Sequence, residues 1–169
     1  EENIDNEENF FSLMNAINHV AEIFDLPIVY SLHPRSAKFV ELRNFKFHRN
    51  VRALKPFGFF DYVKLQENAK CVISDSGTLA EESSILKFPA VSIRTSTERP
   101  EALDKGSFVI GGITTKEICQ SIEVAVGLAE DRLDPVPDYL DRNVSLKVIK
   151  IIQSYVGIVD RMTWRKKIQ

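Results

Sequence analysis

Asp75-Ser76-Gly77-Thr78 lies between the apolar run Cys71-Val72-Ile73-Ser74 and a helical stretch carrying Glu81 and Glu82, and its residue types could hold a charged ligand. A strand that turns directly into a helix leaves the first helical amides without intrahelical acceptors. Their N–H groups and the positive end of the helix dipole then converge on whatever sits at the turn. Gly77 lets the backbone come close to a phosphate, and Ser76 adds a hydroxyl donor. One helical turn further on, Glu81 and Glu82 would repel a phosphate, but a carboxylate there can accept two hydrogen bonds from a ribose diol. A nucleotide would satisfy both ends.

The surrounding elements must hold this turn at the edge of a sheet. Phe10, Met14, Ile17, Ala21 and Phe24 recur at three- and four-residue spacing and predict a helix over residues 7–24. Residues 28–32 form an apolar run of strand length, followed by His33-Pro34 and a helix over 35–42. Residues 45–48 read as a short strand, 50–58 as a loop, 59–69 as a helix and 71–74 as the next strand. A helix over 78–86, a strand over 90–93, a short helix opened by Pro100 and ended by Gly106, and a strand over 107–110 come next. A long helix over 114–129 follows, capped by Thr114 or Thr115 with Glu117 nearby. Strands alternating with crossover helices predict an α/β fold: a Rossmann-like parallel sheet with helices on both faces. In such sheets ligands bind outside the carboxyl ends of the strands, where His33-Pro34, Asp75-Ser76-Gly77 and the loop 94–99 would gather.

The expected organisation is a nucleotide-binding domain over 1–130, a linker over 131–143 with Pro135 and Pro137, and a C-terminal helix pair within 144–169. The last segment carries Val148, Ile152, Tyr155 and Val159 on one stripe, interrupted at Gly157, and needs this domain, another domain or another subunit to cover it. With 169 residues and 44% hydrophobic content, one substantial core can form. Net charge is −2, which gives no general field for nucleic acid or an anionic membrane, and the basic run Arg165-Lys166-Lys167 reads as a solvated helix end. Cys71 and Cys119 lack metal-ligand spacing and read as small buried hydrophobes. No run reaches the length of a membrane span and no signal peptide is evident, so a cytoplasmic protein is expected. The chain starts at Glu1-Glu2-Asn3 without an initiator Met, so a fragment or processed product is expected. No metal or redox cofactor is expected, since neither a ligand cluster nor a Gly-x-Gly-x-x-Gly pattern occurs.

Asp75-Ser76-Gly77 with Glu81-Glu82, followed by Thr97-Glu98-Arg99-Pro100-Glu101, resembles the C-terminal domain of the non-hydrolysing UDP-N-acetylglucosamine 2-epimerases. Glu1-Glu2-Asn3 resembles the end of that family's His-Arg-Glu-Glu-Asn-like segment, and the resemblance covers nearly the whole chain. Three features are similar to the branch that forms UDP-N-acetyl-L-fucosamine from UDP-2-acetamido-2,6-dideoxy-L-talose for surface polysaccharide. They are Thr78 in place of a second Gly, Ser83-Ser84-Ile85-Leu86, and the ending from Ser154-Tyr155 to Trp164-Arg165-Lys166.

The resemblance implies the second half of a GT-B-type enzyme whose two Rossmann-like domains face each other across a cleft. It also implies elimination of UDP to give a glycal, followed by re-addition of UDP, with the main acid and base residues on the absent N-terminal domain. By resemblance, Ser76, Gly77 and Thr78 hold phosphate, Glu82 rather than Glu81 holds the ribose, and Arg99 clamps the diphosphate and is the leading catalytic candidate. His33 is a second catalytic candidate contacting the diphosphate or sugar, or else a structural residue. Tyr62 lies beside the uracil or sugar, or else in the core, and Asp75 fixes the turn by local hydrogen bonds. Expected partners are a UDP-sugar, the missing N-terminal domain and, through the final helices, a second copy of the chain. Three readings stay open beside the L-fucosamine one: epimerisation of UDP-N-acetylglucosamine to UDP-N-acetylmannosamine, the donor half of a GT-B glycosyltransferase, and a non-catalytic nucleotide-sensing module.

Overall fold

Asn6 opens the first helix, α1 (Glu7–Phe24), by accepting the Glu8 N–H at 2.8 Å, and Asp25 closes it in the left-handed conformation. The computed structural model of the protein describes residues 6–129 and 134–166, so Glu1, Glu2 and Asn3, the linker residues Asp131, Arg132 and Leu133, and Lys167 lie outside the described residues. The chain divides into two units, residues 1–136 and 137–169.

After α1 the first unit runs β1 (Ile28–Ser31), α2 (Pro34–Leu42), β2 (Val51–Leu54), α3 (Phe59–Glu67), β3 (Val72–Ser74), α4 (Leu79–Leu86), β4 (Ala90–Ser92), α5 (Pro100–Asp104), β5 (Val109–Ile110) and α6 (Thr115–Gly127). β1 pairs with β2, and β3, β4 and β5 pair in that order, all in parallel. Ser74, Ser92 and Ile110 stand opposite one another, so the carboxyl ends of β3, β4 and β5 lie side by side. Side chains alternate across a strand, yet all three β4 residues are buried, so this sheet is covered on both faces. On one of those faces Val91 packs with Ala16 and Val20 of α1 and with Ile118 and Ile122 of α6. A second cluster, built on Phe10 and Met14, gathers Tyr30, Phe39, Phe45 and Phe47. Cys71 packs against the Val91 cluster, and burial pushes its thiol up to about 12, which leaves it unreactive near neutral pH.

Two expectations need correction. Residues 45–48 are not a strand; β2 lies at Val51–Leu54, inside the expected loop. The alternation at Phe45 and Phe47 serves the core instead, with the Phe45 ring 6.0 Å from Phe10 and edge-on to it. The Asn18 side chain stands in for a neighbouring strand, donating to the Lys46 carbonyl at 2.9 Å and accepting the His48 N–H at 2.7 Å. The real strand is masked because Arg52 and Leu54 face outward while only Val51 and Ala53 face in.

The second correction concerns unit two. In place of a helix pair broken at Gly157, it holds a 3-10 turn (Pro137–Leu140) and one continuous helix, α7 (Val144–Met162). A single interior glycine costs a helix only about 1 kcal/mol, too little to break one this long. Along α7, Val148, Ile152, Tyr155 and Val159 are exposed on one face. No helix among the described residues is long and apolar enough to cross a membrane, and no group of three or more His, Cys, Asp or Glu there could hold a metal ion.

Candidate active site

The β3–α4 turn begins with Ser74, whose Oγ accepts the Ser76 N–H at 3.0 Å. Ser76 and Gly77 then offer their carbonyls to Leu79 and Ala80 at 3.3 Å, and the chain enters α4 with Thr78 at the cap in a right-handed conformation. The N–H groups of Gly77 and Thr78 have no acceptor among the described residues. Gly77 has no positive φ, and a Cβ built there would meet nothing within 4 Å. The fold itself therefore does not require glycine at this position. Ser76 Oγ and Thr78 Oγ1 lie 2.9 Å apart. One hydroxyl donates to the other, so the pair keeps one O–H free to donate outward. A crevice of about 10 Å³, the space of a single water, lies against Ser76, Gly77, Ser92, Arg94 and Thr97. An open cavity of about 550 Å³ begins on the other side of Arg94, along Gly111, Gly112, Gln120 and Ser121.

Arg94, the second residue beyond β4, ties two loops of the carboxyl edge together. Its Nε donates to the Asp75 carbonyl at 2.5 Å, and its Nη1 reaches both Glu98 carboxylate oxygens at 3.1 and 3.2 Å. Asp75 thus fixes the turn through its main chain. Its charge also reaches two phenols. Tyr30 is raised above its ordinary value by burial, with a hydrogen bond to Ser36 opposing and Asp75 adding to the rise. Tyr62, on α3, is raised by burial and then by the Glu82 charge, opposed by a hydrogen bond with Gln66, with Asp75 adding last.

Two neighbouring carboxylates on α4 meet different partners. Glu81 Oε1 accepts Arg99 Nε at 2.8 Å, which braces α4 against the start of α5. The Arg99 N–H is held by Thr97 Oγ1 at 3.0 Å, so the Thr97-Glu98-Arg99 segment is locally fixed. Glu82 Oε2 instead accepts Gln66 Nε2 at 2.5 Å, from an amide side chain only 2% exposed. Gln66 is also the one buried residue of α3.

Ser76, Gly77, Thr78, Glu81, Glu82, Tyr62 and Arg99 therefore meet around the β3–α4 turn. His33 serves the local backbone: as the cap of α2 its Nδ1 accepts the Arg35 N–H at 3.3 Å, which leaves Nε2 as the outward nitrogen. Sequence reasoning missed Arg94 and Gln66. Arg94 had a readable signal, as a cation just past a buried strand at the binding edge. Gln66 had none, because a polar residue in an amphipathic helix reads as solvated.

Residues 1–153 match the family described as UDP-N-acetylglucosamine 2-epimerase. The chain belongs to that family. Among curated members of the 2-epimerase family it is similar to the UDP-N-acetylglucosamine 2-epimerase of Methanocaldococcus jannaschii, at 30% identity over 79% of this chain and 38% of that protein. It is also similar to the UDP-2,3-diacetamido-2,3-dideoxy-D-glucuronate 2-epimerase of Pseudomonas aeruginosa, at 29% identity over 75% of this chain and 35% of that one. The solved UDP-N-acetylglucosamine 2-epimerase of Rickettsia bellii superposes with a TM-score of 0.78 at 36% identity, covering 95% of this chain and 45% of that chain. The M. jannaschii enzyme, solved in complex with UDP-GlcNAc and UDP, gives 0.79 at 25% identity, covering 90% of this chain and 42% of that chain. The chain thus spans less than half the length of these 2-epimerases. The α/β fold of parallel strands flanked by helices, expected from the sequence, is the observed one, and the solved relatives sharing it are GT-B-type epimerases.

Proposed function

We propose that this chain is the UDP-holding part of a nucleotide-sugar 2-epimerase, the other half of which supplies the acid and base. One observation carries the reading. The strand-to-helix turn presents the unaccepted N–H groups of Gly77 and Thr78 and a free hydroxyl proton of the Ser76–Thr78 pair, one helical turn before a carboxylate, Glu82, that no cation neutralises in the described contacts. Those donors suit a diphosphate and that acceptor suits a ribose diol. In this reading the C1–O bond breaks and its electron pair leaves with UDP. A base takes the C2 proton and the glycal forms. UDP then returns to C1 as C2 is reprotonated on the opposite face. The amides at the turn stabilise charge on the departing diphosphate, and Arg99, braced by Glu81 and Thr97, adds its guanidinium to the same task. His33 offers Nε2–H toward the sugar or diphosphate, and Tyr62 lies beside the uridine.

The favoured product is UDP-N-acetyl-L-fucosamine, supported by Thr78 and by Ser83-Ser84-Ile85-Leu86. The Thr78 hydroxyl is part of the donor pair, so its presence changes the site's chemistry and not only its shape. UDP-N-acetylglucosamine is the second reading, favoured by the names of the curated relatives. This chain alone should turn over neither sugar, so incubating the complete enzyme, with the half that supplies the acid and base, with each UDP-sugar in deuterated water decides between them. The true substrate gains deuterium at C2 in both epimers. Exchange with neither sugar defeats the epimerase reading.

A further inference from the structure

Gln66 is buried to within 2% on a helix whose other residues are all at least partly exposed, and it spends that burial unevenly. Its Nε2 donates to Glu82 Oε2 at 2.5 Å, while its Oε1 is buried with no hydrogen-bond partner. A half-satisfied buried amide costs the fold, and such groups are kept where they serve a site. The neighbouring carboxylate shows the alternative. Glu81 is held by a guanidinium, which competes with any ligand for its charge and lone pairs. The donor to Glu82 is a neutral amide, which fixes the carboxylate's direction and leaves its charge and the lone pairs of Oε1 for an incoming donor. Tyr62 stands one helical turn before Gln66 on α3, and the Gln66–Glu82 hydrogen bond joins that helix to α4.

We infer that Gln66 is a positioning residue, one that aims the Glu82 carboxylate at the vicinal diol of the nucleotide and so sets the preference for ribose over deoxyribose. The inference rests on the UDP-binding reading of Glu82 and goes one residue beyond it. Gln66 touches no ligand itself. It removes the rotational freedom of Glu82 that a two-pronged acceptor cannot tolerate.

Calorimetric titration of the protein with UDP and with 2′-deoxy-UDP tests it. The native protein should prefer UDP by tenfold or more, and Glu82→Gln should bring that ratio close to one. Gln66→Met, which keeps the buried volume and removes the donor, should weaken UDP binding about five- to tenfold while leaving 2′-deoxy-UDP within twofold. Equal losses for both ligands would make Gln66 a merely structural residue and overturn the inference, as would an unchanged ratio. A Glu82→Gln variant that keeps the full preference sinks the ribose reading itself, and the role of Gln66 with it. Should Gln66→Met fail to fold, Gln66→Leu, which also removes the donor without adding a charge, reads the same ratio.

Discussion

At the scale of single residues, Gly77 separates what the fold needs from what a ligand needs. Its backbone is not left-handed and a Cβ would meet no protein atom within 4 Å, so alanine is sterically free there. Gly77→Ala should leave thermal stability unchanged or raise it by about 0.5 kcal/mol through the unfolded chain. The same methyl group would stand where a phosphate approaches the amides, and UDP affinity should fall at least tenfold, about 1.4 kcal/mol. Paired melting and titration experiments check both halves, and a variant that binds UDP normally would remove the phosphate from this turn. The residues of the candidate site that the sequence brought forward, Ser76, Gly77, Glu81, Glu82 and Arg99, all belong to short motifs, because local spacing is what a sequence displays. Which carboxylate meets a cation and which a neutral amide was not legible from spacing alone, because it is decided by partners far along the chain. Arg99 lies 18 residues from Glu81, and Gln66 lies 16 residues from Glu82.

At the scale of elements, local capping was readable and strand pairing less so. Thr114 and Glu117 form the expected capping box: Thr114 Oγ1 accepts the Glu117 N–H at 3.3 Å, and Glu117 accepts the Thr114 N–H at 3.2 Å. The Thr114 hydroxyl and then its amide hold the Glu117 carboxyl below its ordinary value, so this contribution is present at neutral pH and is lost as pH falls through the folded-state value. Gly112 sits at φ +60 and a Cβ there would come within 2.4 Å of Glu117, so the glycine makes room for the box. Thr114→Ala should cost about 1 kcal/mol in urea denaturation at pH 7. The deficit relative to the native protein should narrow in acid, and a constant deficit at all pH values would assign it to something other than the box. β2 escaped notice for the opposite reason. Its identity depends on a partner, β1, lying more than 20 residues away, and half of its side chains face outward.

At the scale of the whole molecule, the alternation of strands and helices made the parallel α/β fold legible, because crossover connections leave few other topologies. The fate of α7 was not legible, since an amphipathic helix states that a partner exists without naming it. Val148, Ile152, Tyr155 and Val159 share one face at helical spacing and are each 37–57% exposed. We propose that this face is covered by the remainder of a longer polypeptide and, when that is absent, by a second copy of the chain, because an apolar stripe this long is unstable in water. The chain on its own should therefore associate at micromolar concentrations in sedimentation velocity. Val148→Asp with Ile152→Asp should shift it to the monomer while UDP still binds, because both positions belong to the second unit and the turn at Ser76 belongs to the first. A native chain that stays monomeric at 100-fold higher concentration would show that the stripe recruits no second copy. A double variant that loses UDP binding would show instead that α7 supports the nucleotide site.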